Sequence, residues 1–199
     1  MVLISRVNIR IFSATALACV VWLLPFAAGA RETVTVTSCG DTIGPRQTAY
    51  LLNDLDCRGS GAAGIVLSDH SRLVLGGHMM LGDPLERARD GRVLQGVRCT
   101  AGSVCTVEGP GAVVGFSASG IAGTRVRVRD VYIADNAVAG ISAFENVNLR
   151  DVALAANGAL GIHAGGRVSA LRTDVDAQPG IPVLEWRARS RARDHRRGS

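Results

Sequence analysis

The side chains best equipped for chemistry occur twice, one copy 21 residues after the other. Arg129-Asp130 recurs as Arg150-Asp151, and Asp135 follows the first pair. Carboxylates gathered beside a guanidinium suit cation binding or acid–base hydrolysis. Calcium takes about six to eight oxygen ligands, whereas Asp130 and Asp151 offer one carboxylate each and both already have an arginine beside them. An inverting hydrolase needs two carboxyls about 6.5–9.5 Å apart. Asp130 and Asp151 would lie closer than that if the repeats stack, and the equivalent of Asp135 is Ala156. The histidines at 70, 78, 163 and 195 have no H-x-x-x-H or H-E-x-x-H spacing, and there is no G-x-S-x-G elbow or Walker loop. Arg129, Asp130, Asp135, Arg150 and Asp151 are therefore candidate ligand-binding residues. No residue is assigned a catalytic or metal-binding role, and a surface ion-pair ladder would explain the five without any ligand.

What must position these residues is a repeat. Residues 126–146 (VRVRDVYIADNAVAGISAFEN) and 147–167 (VNLRDVALAANGALGIHAGGR) agree at nine of 21 places. The shared frame is Val, Arg-Asp-Val, Asn136/Asn157 and Gly140-Ile141/Gly161-Ile162. Gly-Ile pairs also occur at 64–65, 120–121 and 180–181. A period this short signals a solenoid. The 21-residue spacing predicts roughly six coils between residues 33 and 181, with a polar loop or helical turn at 83–95. Residues 47–56 read as a short helical cap or an irregular coil. Leu73 to His78 reads as one strand.

Two solenoids compete. Leu149-x-x-Val152-x-Leu154-x-x-Asn157 follows the leucine-rich-repeat pattern. However, residues 158–167 hold four glycines, and each costs about 1 kcal/mol against Ala in a helix. The apolar stripe is also Val, Ile and Ala. The preferred reading is an all-β parallel β-helix. Val131/Val152, Ile133/Leu154 and Ile141/Ile162 should point inward, and Asn136/Asn157 should form a structural ladder at a turn. Tyr132, between two inward residues, should point outward.

Composition locates the charge. All 22 basic residues are arginine. Residues 1–30 hold two arginines and no acid, and residues 185–199 hold six arginines against two acids. The remaining 14 arginines face 15 acids, so no nucleic-acid partner is expected of the folded part. Residues 1–30 read as an export signal, with Arg6 and Arg10, an apolar run and Ala28-Gly29-Ala30. An uncleaved anchor, the one route to a membrane, is the alternative. Beyond the signal four cysteines remain, an even count that supports disulfides, with Cys39–Cys57 and Cys99–Cys105 favoured because each pair is local. Metal binding is the alternative for these four.

The organisation expected is thus a signal at 1–30, a β-helix domain at 31–181 and an arginine-rich tail at 182–199. The tail, without apolar periodicity, reads as a solvated end or as the product of a shifted reading frame; a basic binding arm is the alternative. An open last coil would favour end-to-end self-association.

The run Leu73-Val74-Leu75-Gly76-Gly77-His78 and the N-x-x-x-G-I units at 136–141 and 157–162 resemble exported right-handed parallel β-helix repeat proteins of the pectin-lyase-like fold group. The resemblance spans roughly residues 33–181. It implies either a non-catalytic scaffold or surface-interaction protein with weak polysaccharide binding, or a polysaccharide lyase of the pectate-lyase type. Lyases of that group use acidic calcium ligands with a basic residue as proton acceptor, so calcium is implied only under the second reading and no cofactor under the first. Either way the chain is expected to be secreted, periplasmic or at the cell surface.

Overall fold

The computed structural model describes residues 31–88 and 90–175, and all regular structure among them is β. The strands come in threes. A partial coil of β1 (Thr33–Val36) and β2 (Asp41–Ile43) leads to β3 (Thr48–Leu51), β4 (Leu55–Asp56) and β5 (Ile65–Leu67). Next come β6 (Arg72–Val74), β7 (Met79–Leu81) and β8 (Val97–Cys99), then β9 (Val104–Glu108), β10 (Ala112–Val114) and β11 (Ser119–Gly123). The two clear repeats supply β12 (Arg125–Arg129), β13 (Tyr132–Ala134) and β14 (Ala139–Ala143), then β15 (Val147–Arg150), β16 (Ala153–Ala155) and β17 (Leu160–Ala164). β18 (Val168–Leu171) and β19 (Asp174–Val175) begin a further coil.

Each strand pairs in parallel with its counterpart one coil away. Sheet 1 runs β1-β3-β6-β9-β12-β15-β18, sheet 2 runs β2-β5-β8-β11-β14-β17, and sheet 3 runs β4-β7-β10-β13-β16-β19. The result is a parallel β-solenoid of about six turns. Thr106, Arg127, Asn148 and Ser169 occupy one column, so the later coils are each 21 residues long. The step from Arg72 to Thr106 is 34 residues, because residues 83–95 form a loop closed by an antiparallel bridge between Arg87 and Val93.

Period-two alternation places one stripe of each strand inside. Sheet 1 contributes Ala49, Leu73, Val107, Val128 and Leu149, all nearly inaccessible. Sheet 2 contributes Ile65, Val97, Ile121 and Ile141, and sheet 3 contributes Met80, Val113, Ile133 and Leu154. These are the inward positions the repeat implied, except that Ile162 in β17 is only half-buried. Tyr132 points outward, 45% exposed. Both local cysteine pairs are bonded, with Cα–Cα separations of 5.6 Å for Cys39–Cys57 and 6.2 Å for Cys99–Cys105.

Two local expectations are corrected. Residues 47–56 form β3 and β4 instead of a helical cap or irregular coil, because Thr48 to Leu51 is held in register between β1 and β6. Leu73 to His78 is not one strand: β6 ends at Val74, and Gly76 (φ 62°) and Gly77 (φ 94°) turn the chain through left-handed conformations that glycine adopts without a Cβ clash. The export signal or anchor at 1–30 and the tail at 182–199 lie outside the described residues, as does Gly180-Ile181.

Candidate functional site

The Arg-Asp pairs sit where sheet 1 turns towards sheet 3. Arg129 and Arg150 close β12 and β15, are in register, and point outward. Asp130 (φ 57°) and Asp151 (φ 55°) follow at the corner, and Arg172 (φ 47°) holds the same place one coil on. Aspartate tolerates the left-handed region better than most residues because its short side chain bonds locally. The recurrence of Asp130 and Asp151 therefore has a backbone cause. Asp135 (φ 54°) turns a second corner, with Gly115 (φ 76°) before it and Ala156 (φ 48°) after it in the stack.

Asp151 is the hub of the first corner. It accepts from both Nε and Nη2 of Arg172, the latter at 2.7 Å, and Arg150 Nε lies 3.3 Å away. The Arg172 hydrogen bonds hold its carboxyl below the usual carboxylate range, and the charges of Arg172 and Arg150 add to the effect. Arg129 and Asp130 form no ion pair with another described residue. The structure thus brings four of the five candidates into one ladder and leaves Asp135 at a different corner. Among the described residues no three His, Cys, Asp or Glu side chains gather closely enough to hold a metal ion.

The residues beside that ladder do not stand out from the sequence. On the outward face of sheet 1, Arg125, Arg127 and Arg167 line a shallow depression of about 570 Å³ together with Asn146, Asn148 and Ser169. Arg127, Asn148 and Ser169 form one column, and Arg125, Asn146 and Arg167 continue the column beside it. Successive members are about 4.8 Å apart, the strand spacing. Two acids are near: Glu145 lies 3.5 Å from Arg125, and Glu108 is paired with Arg72. Arg127, Arg129 and Arg167 have no carboxylate within ion-pair distance among the described residues, so the face is basic although the folded part is nearly neutral. The signal was present in Arg-Val-Arg-Val-Arg at 125–129, where alternation puts three arginines on one side of one strand.

Asn136 and Asn157, by contrast, are buried at 0% and 2% exposure. Asn136 Nδ2 donates to Asn157 Oδ1 at 2.9 Å and to Ala134 O at 2.9 Å, while its Oδ1 accepts from Phe116 N at 3.0 Å. Asn157 Nδ2 donates to Ile133 O at 3.0 Å. Phe116 takes the asparagine's place in the preceding coil, so the ladder has two rungs and an aromatic end. The glycine of the N-x-x-x-G-I unit belongs to the same packing. A Cβ on Gly140 would lie 2.9 Å from Asn157 Nδ2, and one on Gly120 2.8 Å from Asn136 Nδ2. The side-chain amide of one coil fills the space that the glycine of the coil before leaves open.

Compared with models of known protein families, with curated proteins and with solved structures, the chain matches none.

Proposed function

We propose that this chain is an exported, non-catalytic solenoid that binds an acidic polysaccharide weakly along the outward face of sheet 1. The observation that carries the reading is the depression lined by Arg125, Arg127 and Arg167 with Asn146, Asn148 and Ser169. Guanidinium groups bind carboxylates through planar, charge-assisted pairs, and the amide and hydroxyl groups between them suit sugar hydroxyls. Columns about 4.8 Å apart repeat along the stack, so an extended polyanion could meet the same groups again on each coil. The depression is open and holds no converging carboxylates, which favours holding a chain over cleaving one. Export is supported by the basic and apolar character of residues 1–30 and by the two disulfides. The same reading takes the solenoid as right-handed and pectin-lyase-like. Parallel crossovers are right-handed in about 98% of cases, and the Asn ladder and N-x-x-x-G-I units are the features that carry that resemblance.

The test is binding of polygalacturonate and alginate to the purified protein at several salt concentrations, with a neutral glucan as control. The expected result is salt-sensitive binding to the acidic chains, lost in Arg127→Ala/Arg167→Ala while the far-UV spectrum is retained. Equal binding by that variant, or none by the parent, refutes the assignment. Appearance of unsaturated ends with calcium would replace it with a lyase.

A further inference from the structure

The outward face of sheet 3 is unlike those of the other two. Its register gives two outward columns. One is Met79, Ala112, Tyr132, Ala153 and Asp174, and the other is Asp56, Leu81, Val114, Ala134 and Ala155. Asp54, next to β4, extends the first column beyond Met79, whose backbone N–H it accepts at 2.9 Å. Between the terminal aspartates no outward residue of β7, β10, β13 or β16 is polar apart from the Tyr132 hydroxyl. Sheet 2 shows Thr42, Arg98, Ser142 and His163 to the outside, and sheet 1 shows its arginines. Met79 and Tyr132 are 38% and 45% exposed, and Ala112, Val114 and Ala153 are partly exposed. A continuous apolar surface of this kind marks a contact face.

We infer that this face is covered by the chain's own residues 181–193. The chain leaves the described residues at Val175, in the edge strand of sheet 3 itself. The sequence beyond it includes Ile181-Pro182-Val183-Leu184 and Trp186, and then Arg187, Arg189, Arg191 and Arg193. Five strand intervals at about 4.8 Å make a face about 24 Å across. Residues 176–186, extended, reach about 36 Å. The apolar stretch can therefore cross the sheet, delivering the arginines to the β4–β7 end. That end is acidic, with Asp54, Asp56 and Asp83 against Arg58 as the neighbouring cation. Pro179 and Pro182 lack the N–H donors an added edge strand needs, which favours lying across the face over extending the sheet. A second copy fits less well. A two-fold face-to-face pairing sets Asp54 and Asp56 against either themselves or the partner's Asp174, carboxylate against carboxylate.

Coverage of this face does not depend on any polysaccharide on sheet 1. The chain has two tryptophans, Trp22 and Trp186, so Trp22→Phe leaves Trp186 as the sole reporter. In the full folded chain its emission is expected to be blue-shifted, and acrylamide should quench it several-fold less efficiently than in the same chain in urea. Ala153→Arg, placed in the middle of the face, should abolish that shielding, whereas Ser142→Arg on sheet 2 should not, with both variants keeping the parent's strand signal. Trp186 as accessible as in urea, or equal behaviour of the two arginine variants, overturns the inference. So does shielding that appears only at concentrations where sedimentation shows a dimer, since the occupant is then a second copy.

Discussion

Asn136→Ala tests whether the asparagine ladder holds the coils together or merely decorates a turn. Removing the amide strips Phe116 N–H of its acceptor at 3.0 Å and leaves that donor in a fully buried place. It also removes the donors to Ala134 O and Asn157 Oδ1. An orphaned buried donor costs about 1–3 kcal/mol and each net hydrogen bond about 0.5–1.5, so a loss of about 2–4 kcal/mol is expected. Asn157→Ala should cost less, about 1–2 kcal/mol. The bond it accepts from Asn136 N is longer, at 3.3 Å, and the strand after it, β17, is only partly covered. The assay is urea denaturation followed by far-UV circular dichroism, where a lower midpoint at unchanged slope reports stability alone. Asn136→Asp sharpens the test. The carboxylate can still accept from Phe116 N but faces two oxygens where an N–H₂ stood, and burial raises its pKa in the folded state. Its destabilisation should therefore grow as pH rises above the unfolded value near about 3.9. If Asn136→Ala leaves the midpoint within error, or costs no more than Asn157→Ala, the ladder argument fails.

Gly140→Ala should destabilise by about 1–3 kcal/mol, since the new methyl must displace Leu154, Asn157 or the Gly161 carbonyl; a denaturation midpoint equal to the parent's would mean the coils yield there. Non-reducing peptide mapping should recover the Cys39–Cys57 and Cys99–Cys105 links, and Cys39→Ser/Cys57→Ser should lower stability by about 2–4 kcal/mol. Free thiols at all four positions would remove the support for export as well. Asp56, held by hydrogen bonds from the Arg58 side chain and backbone N–H, should titrate at about 2 by carbon NMR and move up towards the ordinary range in Arg58→Ala. Because its folded pKa is depressed, its contribution to stability is present above the unfolded value and is lost as pH falls towards about 2. An ordinary midpoint in the parent would show the pair is not formed in solution.

The solenoid was legible because stacking writes itself into the sequence. An inward valine, an asparagine and a glycine must each return once per coil, and 126–146 and 147–167 keep all three. The earlier coils were harder to read because their steps are longer and their corners differ. Gly76 and Gly77 do by backbone freedom what Asp130 and Asp151 do by tolerance of the left-handed region. Thr48 to Leu51 was obscured by neighbouring loop residues, and its strand pairing comes from partners 15 and 24 residues away. The candidate site was half legible. Asp130 and Asp151 stand out because they recur, but recurrence in a stack first reports what the backbone needs. Arg127 and Arg167 do not stand out because they do not recur: their column partners are Asn148 and Asn146.

That contrast says where function should be sought in such a molecule. An inward residue or a left-handed corner answers to the coil beneath it, and its identity carries little information about a ligand. An outward strand position has no such duty, because any side chain fits there without disturbing the ladder. Three guanidinium groups on one strand of sheet 1 are therefore not a consequence of folding. Neither is the absence of charge from four successive strands of sheet 3, where solvent would accept any polar residue. The first face lacks counter-charges and the second lacks polarity. Like-charge crowding on the one and apolar exposure on the other are both unfavourable in the isolated coils. Each departure is relieved by contact with a partner of opposite or matching character, a polyanion on sheet 1 and an apolar chain segment on sheet 3.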